Sequence, residues 1–122
     1  MNIALIAYGS RKTLMENFCI RQRHVLNKHQ VFAIDSTAFI IEGILGMNVI
    51  KYLESSLGGE QQIATQIAFG EIHMVFLFAD PFVRPEEAPD VSELIRLCNV
   101  YNVPLAINSA TAEALIKVLE EA

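Results

Sequence analysis

Apolar residues fall along the chain in short unbroken runs separated by stretches of helical spacing. Ile3, Ala4, Leu5, Ile6 and Ala7 form the first run, ending before Gly9, and predict a strand buried on both faces. From Arg11 onward, Leu14, Met15, Phe18, Val25 and Leu26 recur at helical spacing until residues 27–30 break the pattern. Residues 31–34 predict a second strand, followed by a helix that Ser36 or Thr37 can cap and that runs through Leu45 to stop at Gly46. Residues 49–53 form a weaker third strand. Gly58 and Gly59 open a helix carrying Ile63, Ala64, Ile67 and Ala68, with Gly70 placed to end it. Residues 74–78 are the most continuous apolar run and deliver Asp80 and Pro81 at the carboxyl end; residues 81–89 then read as a loop. Val91, Leu94, Ile95 and Cys98 follow i, i+3, i+4, i+7 spacing, with Asp90 in the first turn, where a carboxylate suits the helix dipole. Residues 105–108 predict a fifth strand, and Ala112, Leu115, Ile116 and Leu119 a last helix capped at Ser109.

Five strands alternating with five helices predict a parallel sheet covered on both faces, a three-layer α/β/α sandwich formed by one domain over residues 1–122. In such sheets ligands bind beyond the carboxyl ends of the strands. The loops that matter are therefore residues 8–12, 34–38, 54–62, 80–90 and 108–111.

Composition narrows the function. With 52% hydrophobic and 19% charged residues, the whole chain is expected to fold. The net charge of -5, without clustered Lys and Arg, argues against a nucleic-acid partner. The first apolar run is too short for a secretory leader, and no run approaches the ~20 residues needed to cross a bilayer, which points to the cytoplasm and away from membranes. Cys19 and Cys98 are isolated, without CxxC spacing, and read as buried free thiols.

The loops together resemble methylglyoxal synthase. That family has Gly-Gly-Asp-Gln-Gln after the third strand and Asp-Pro after the fourth; the corresponding residues are Gly58, Gly59, Glu60, Gln61 and Gln62, then Asp80 and Pro81. Further agreement comes from Pro89, Asp90 and Val91, from Val103, Pro104, Leu105 and Ala106, and from Asn108, Ala110, Thr111 and Ala112. The resemblance implies a homohexamer, a sheet order of 3-2-1-4-5, and a small phosphorylated substrate. It also implies a reaction that needs no cofactor or metal: a carboxylate takes a proton from dihydroxyacetone phosphate, and the enediolate expels phosphate to leave methylglyoxal.

By the same resemblance, Lys12, Ser36 and Thr37 are candidate phosphate-binding residues, joined by Ser55 and Tyr8, while Glu60, Asp80 and Asp90 are candidate catalytic carboxylates. An exposed lysine, helix caps and a first-turn Glu are the ordinary alternatives for several of these. The chain also departs from the family. Tyr8 and Gly9 stand where it has His and Asp, Asp35 lies in its Thr-Gly-Thr-Thr-Gly loop, Glu54 replaces a Ser, Glu60 its catalytic Asp, and Glu87 its second His. A phenol cannot replace an imidazole as a proton carrier near neutrality. A carboxylate about 6 Å from a phosphate costs roughly 3 kcal/mol per unit charge at an effective dielectric of about 20. His24, His29 and His73 occupy no family histidine position and read as surface residues. Arg84 could supply a compensating charge.

Three functions fit these residues. The first is the family's phosphate-eliminating lyase, impaired or altered by the substitutions. The second is a non-catalytic module that binds a small ligand on the same scaffold. The third is a metal site collected from Asp35, Glu54, Glu60, Asp80, Glu87 and Asp90, although they show no recognisable ligand spacing.

Overall fold

A computed structural model describes residues 1–82 and 91–122. Its centre is a five-stranded parallel sheet in the order β3-β2-β1-β4-β5, built from β1 (Asn2–Ala7), β2 (Gln30–Ile34), β3 (Ile50–Tyr52), β4 (Met74–Phe78) and β5 (Leu105–Ala106). The order expected from the resemblance holds. The longest register joins β1 to β4, from Ile3 opposite Met74 to Ala7 opposite Phe78. Every residue of β4 is buried, as an apolar run covered on both faces requires.

Alternation along β1 divides the core into two layers. Ile3, Leu5 and Ala7 face a layer that includes Met15, Phe18, Ile41 and Ile116, contributed by α1 (Arg11–Arg21), α3 (Asp35–Leu45) and α6 (Ser109–Glu120). Ala4 and Ile6 face Ile63, Ile67 and Leu94, from α4 (Gly59–Ala68) and α5 (Ser92–Val100). Phe18 packs edge-on against Phe78 and at a tilt against Phe76, with centroids 5.8 and 5.3 Å apart. Truncating one of these rings to Ala is expected to cost about 3–5 kcal/mol.

The expected helix from Arg11 is two. Gln22 leaves helical dihedrals and ends α1, and a short α2 (Arg23–Leu26) completes the segment, so among the described residues six α-helices accompany the five strands. Around the break, Gln22 and Arg21 both hold Glu113 of α6. Neither Ser36 nor Thr37 caps α3. Its helical turn begins at Asp35 directly after the extended Ile34, leaving no loop in which a hydroxyl could fold back. Gly46, with φ of +65°, ends α3 as expected. At α6 the cap is Asn108 rather than Ser109. Asn108 is extended and its Oδ1 accepts from the Thr111 N–H at 2.9 Å, while Ser109 is already helical. β5 is correspondingly only two residues long. Ile95 is exposed, so Leu94 and Cys98 carry the buried face of α5. Asp90, Arg84 and Glu87 lie outside the described residues.

Candidate functional site

All five parallel strands end on one edge of the sheet, and the chain turns there into helices. After β1, Gly9 takes φ of +54°, which a residue without Cβ adopts at no steric cost. The Arg11 and Lys12 N–H groups bond back to Tyr8 and Gly9 at 3.0 and 3.2 Å. That turn sets Tyr8 and Lys12 above the sheet. After β2 the chain enters α3 with no side-chain cap, which leaves the first-turn N–H groups beside Ser36 and Thr37 open to an anion.

After β3 comes a 3-10 turn, Ser55–Leu57, then Gly58 with φ of +101°, then α4. Gly59 is packed so closely that a Cβ would lie 2.1 Å from the Leu53 carbonyl oxygen. Its own N–H bonds to the Glu54 carbonyl at 3.1 Å. These contacts fix the start of α4 and so place Glu60, in its first turn.

A cavity of about 70 Å³ opens at the ends of β1, β2 and β3, and Tyr8, Lys12, Ser36, Thr37, Glu54 and Ser55 line it. All five residues expected to bind phosphate therefore converge on one hollow. Among the described residues, Lys12 has no carboxylate within ion-pair distance. Glu60 joins the group through the Tyr8 phenol, whose hydroxyl donates to Glu60 Oε2 at 2.9 Å. Burial, then the hydrogen bond and negative charge of Glu60, push the phenol far above its usual range, partly opposed by a hydrogen bond with Ser55. Tyr8 thus remains a donor at any working pH.

Of the two acids expected to oppose phosphate here, Glu54 is on the cavity wall and Asp35 is not among its lining residues. Asp80 lies elsewhere, on a separate cleft of about 430 Å³ at the ends of β4 and β5 that Arg11, Asn108 and Ser109 also line. Both Asp80 oxygens are engaged: Oδ2 accepts from the Ser10 hydroxyl at 2.6 Å, and Oδ1 from the Phe82 N–H at 2.8 Å. Ser10 was not singled out by the sequence; its only signal was its position in the Gly-Ser turn after β1. No three acids, histidines or cysteines converge on a metal-sized site among the described residues. His24 and His73 are exposed; His73 accepts the Asn2 N–H at the strand edge, and His29 bonds the Leu119 carbonyl. Among the described residues, no helix is long and apolar enough to cross a membrane.

Known proteins are similar to this chain in sequence and fold. The family model of the MGS-like domain matches residues 16–107. Methylglyoxal synthase of Caldicellulosiruptor saccharolyticus is 46% identical over 120 residues, covering 98% of this chain and 85% of that protein. The enzyme of that name from Thermoanaerobacter pseudethanolicus is 43% identical over 121 residues, 99% of this chain and 92% of its own length. The crystal structure of methylglyoxal synthase from Elizabethkingia anophelis NUHP1 matches with a TM-score of 0.86 at 36% identity, covering 94% of this chain and 76% of that one. With sequence, strand order and backbone in agreement over nearly its whole length, the chain belongs to the methylglyoxal synthase family.

Proposed function

We propose that residues 1–122 act as one unit, a carbon–oxygen lyase that eliminates inorganic phosphate from dihydroxyacetone phosphate to give methylglyoxal. The observation that carries this reading is the convergence of Lys12, Ser36, Thr37 and Ser55 on one cavity, with Glu60 held beside it. Lys12 and the hydroxyls, with the open N–H groups of α3, suit a phosphate. The Glu60 carboxylate takes a proton from the hydroxyl-bearing carbon next to the carbonyl, and the C–H electron pair forms the enediolate. The terminal hydroxyl of the enediolate then becomes the aldehyde and gives its proton to the departing phosphate, which leaves with the electrons of the C–O bond while Lys12 offsets its charge. Protonation of the resulting enolate at its terminal carbon gives methylglyoxal. The sequence is redox-neutral and consumes no water.

Two features lower its rate. Glu54 on the wall opposes the phosphate charge, and the longer Glu60 moves the base by about 1.5 Å where ~1 Å can cost about a hundredfold. Glu54 also favours a second reading, a binding module for a less charged small ligand without turnover. Incubation with dihydroxyacetone phosphate from about pH 5 to 9, spanning the neutral range, separates the two. Release of methylglyoxal with equimolar phosphate supports the lyase. No product, together with no phosphate binding, overturns it.

Assembly into a homo-oligomer, a hexamer by family resemblance, and a place in the cytoplasm complete the proposal. Exposed Phe39, Leu57 and Phe69 supply apolar surface for such contacts. Light scattering on the eluting protein tests it; a monomer at all concentrations would rule it out.

A further inference from the structure

Tyr8 lines the cavity and links it to Glu60, which is not itself among the lining residues. Its hydroxyl donates to Glu60 at 2.9 Å, and Ser55 lies with Tyr8 on the cavity wall. The backbone that carries each end of this pair is fixed. The Tyr8 N–H bonds to the Phe78 carbonyl at 3.0 Å, extending the β1–β4 ladder, and the Arg11 N–H bonds to the Tyr8 carbonyl at 3.0 Å. Opposite, the start of α4 is held by Gly59 against Leu53. The glutamate side chain at position 60 has one more rotatable bond than an aspartate, and its carboxylate sweeps a wider arc unless something holds it.

We infer that Tyr8 is a positioning residue for Glu60: its hydroxyl holds the longer carboxylate beside the substrate cavity, so that a Tyr–Glu pair presents the proton-abstracting group. The inference rests on Glu60 acting as the base in the proposed elimination. It gives Tyr8 a different task from phosphate binding. Because the phenol is held protonated by its burial and by Glu60, position 8 contributes no ionisation near neutrality, whereas an imidazole there would.

The test uses Tyr8→Phe, Tyr8→His, Glu60→Ala and the Tyr8→Phe/Glu60→Ala double variant. Tyr52→Phe is the control, since it removes another buried hydroxyl, bonded to Gln66, away from the cavity. Tyr8→Phe is expected to lower kcat about 10- to 100-fold, the scale of a lost hydrogen bond to a charged group, with little change in KM. Deuterium uptake from solvent into dihydroxyacetone phosphate should fall by the same factor, and Tyr52→Phe should change neither. Tyr8→His should add a limb to the pH–rate profile within about one unit of pH 6.5. In thermal melting, the losses from Tyr8→Phe and Glu60→Ala should be less than additive in the double variant, because both remove the same bond.

A Tyr8→Phe variant that alters KM alone, or turns over as Tyr52→Phe does, overturns the inference. So do additive melting losses, which can be read even in a protein without turnover. A wild-type chain that neither exchanges nor eliminates sinks the lyase itself. In that case less-than-additive melting would leave the Tyr8–Glu60 pair standing without that substrate.

Discussion

The Ser10 hydroxyl donates to Asp80 Oδ2 at 2.6 Å, joining residues 70 positions apart. With the Phe82 N–H on Oδ1, this bond ties the turn carrying Tyr8 and Lys12 to the end of β4. The Ser10 bond first, then the Phe82 N–H and more weakly the nearby Arg11, hold the Asp80 carboxyl below its usual range. An unfolded chain would bind that proton at the ordinary value of about 3.9. The contribution to stability is therefore complete above about pH 4 and is lost as pH falls through the lower folded value. Asp80→Asn is expected to melt below wild type at neutral pH, with the gap narrowing below about pH 4. Ser10→Ala should reproduce much of that loss. A gap unchanged down to strongly acidic pH would contradict this role.

Glu54 is the acid that meets the cavity, and its removal should strengthen anion binding. Screened by water at the mouth, its repulsion of a phosphate is about 1–2 kcal/mol, so Glu54→Ser should lower the dissociation constant for inorganic phosphate roughly tenfold. Asp35→Ser should change it far less, because Asp35 is not among the lining residues. Isothermal calorimetry on the two variants checks the contrast, and equal effects would count against it.

Gly59 leaves no room for a side chain. A methyl placed 2.1 Å from the Leu53 carbonyl oxygen must push the start of α4 off β3 or strain the backbone. Gly59→Ala is expected to destabilise the fold by about 3 kcal/mol and to displace Glu60. Gly43→Ala, where a Cβ meets nothing within 4 Å in a helix, should be neutral or slightly stabilising by comparison. Denaturant melts of both variants provide the measurement.

Cys19 and Cys98 are free and buried. Burial, helped by Glu16, pushes the Cys19 thiol up to about 12, and burial pushes Cys98 up to about 11. Neither forms appreciable thiolate near pH 8, so neither should react with an aromatic disulfide in the native protein. Both should react once the chain is denatured. Rapid native labelling of one thiol would show that its layer opens without global unfolding.

The strands and their layers were legible because both rest on local signals, whereas the strand order was legible only through the family resemblance. Residues 74–78 form an unbroken apolar run, and the structure gives the same five residues as β4. Element ends were less legible because they depend on which atom reaches a helix N–H. Asn108 and Ser109 are both good caps in sequence, and only the extended backbone at Asn108 decides between them. The loss of a cap at α3 follows from the abrupt turn after Ile34, which no residue type announces.

The candidate site divides in the same way. Sequence alone determined the scaffold, the loops that carry chemistry and the residue types in them, since periodicity and family spacing are properties of the chain. It placed Lys12, Ser36, Thr37, Ser55, Glu60 and Asp80 on the same sheet edge but could not separate them. Only the tertiary structure set Glu54 on the cavity wall, Asp80 against Ser10 and Glu60 against Tyr8. Those partners lie 52 and 70 residues apart for the two hydrogen bonds. Whether such groups meet is decided by sheet register and helix packing, to tenths of an ångström, and a hydrogen bond registers that difference where a residue pattern does not.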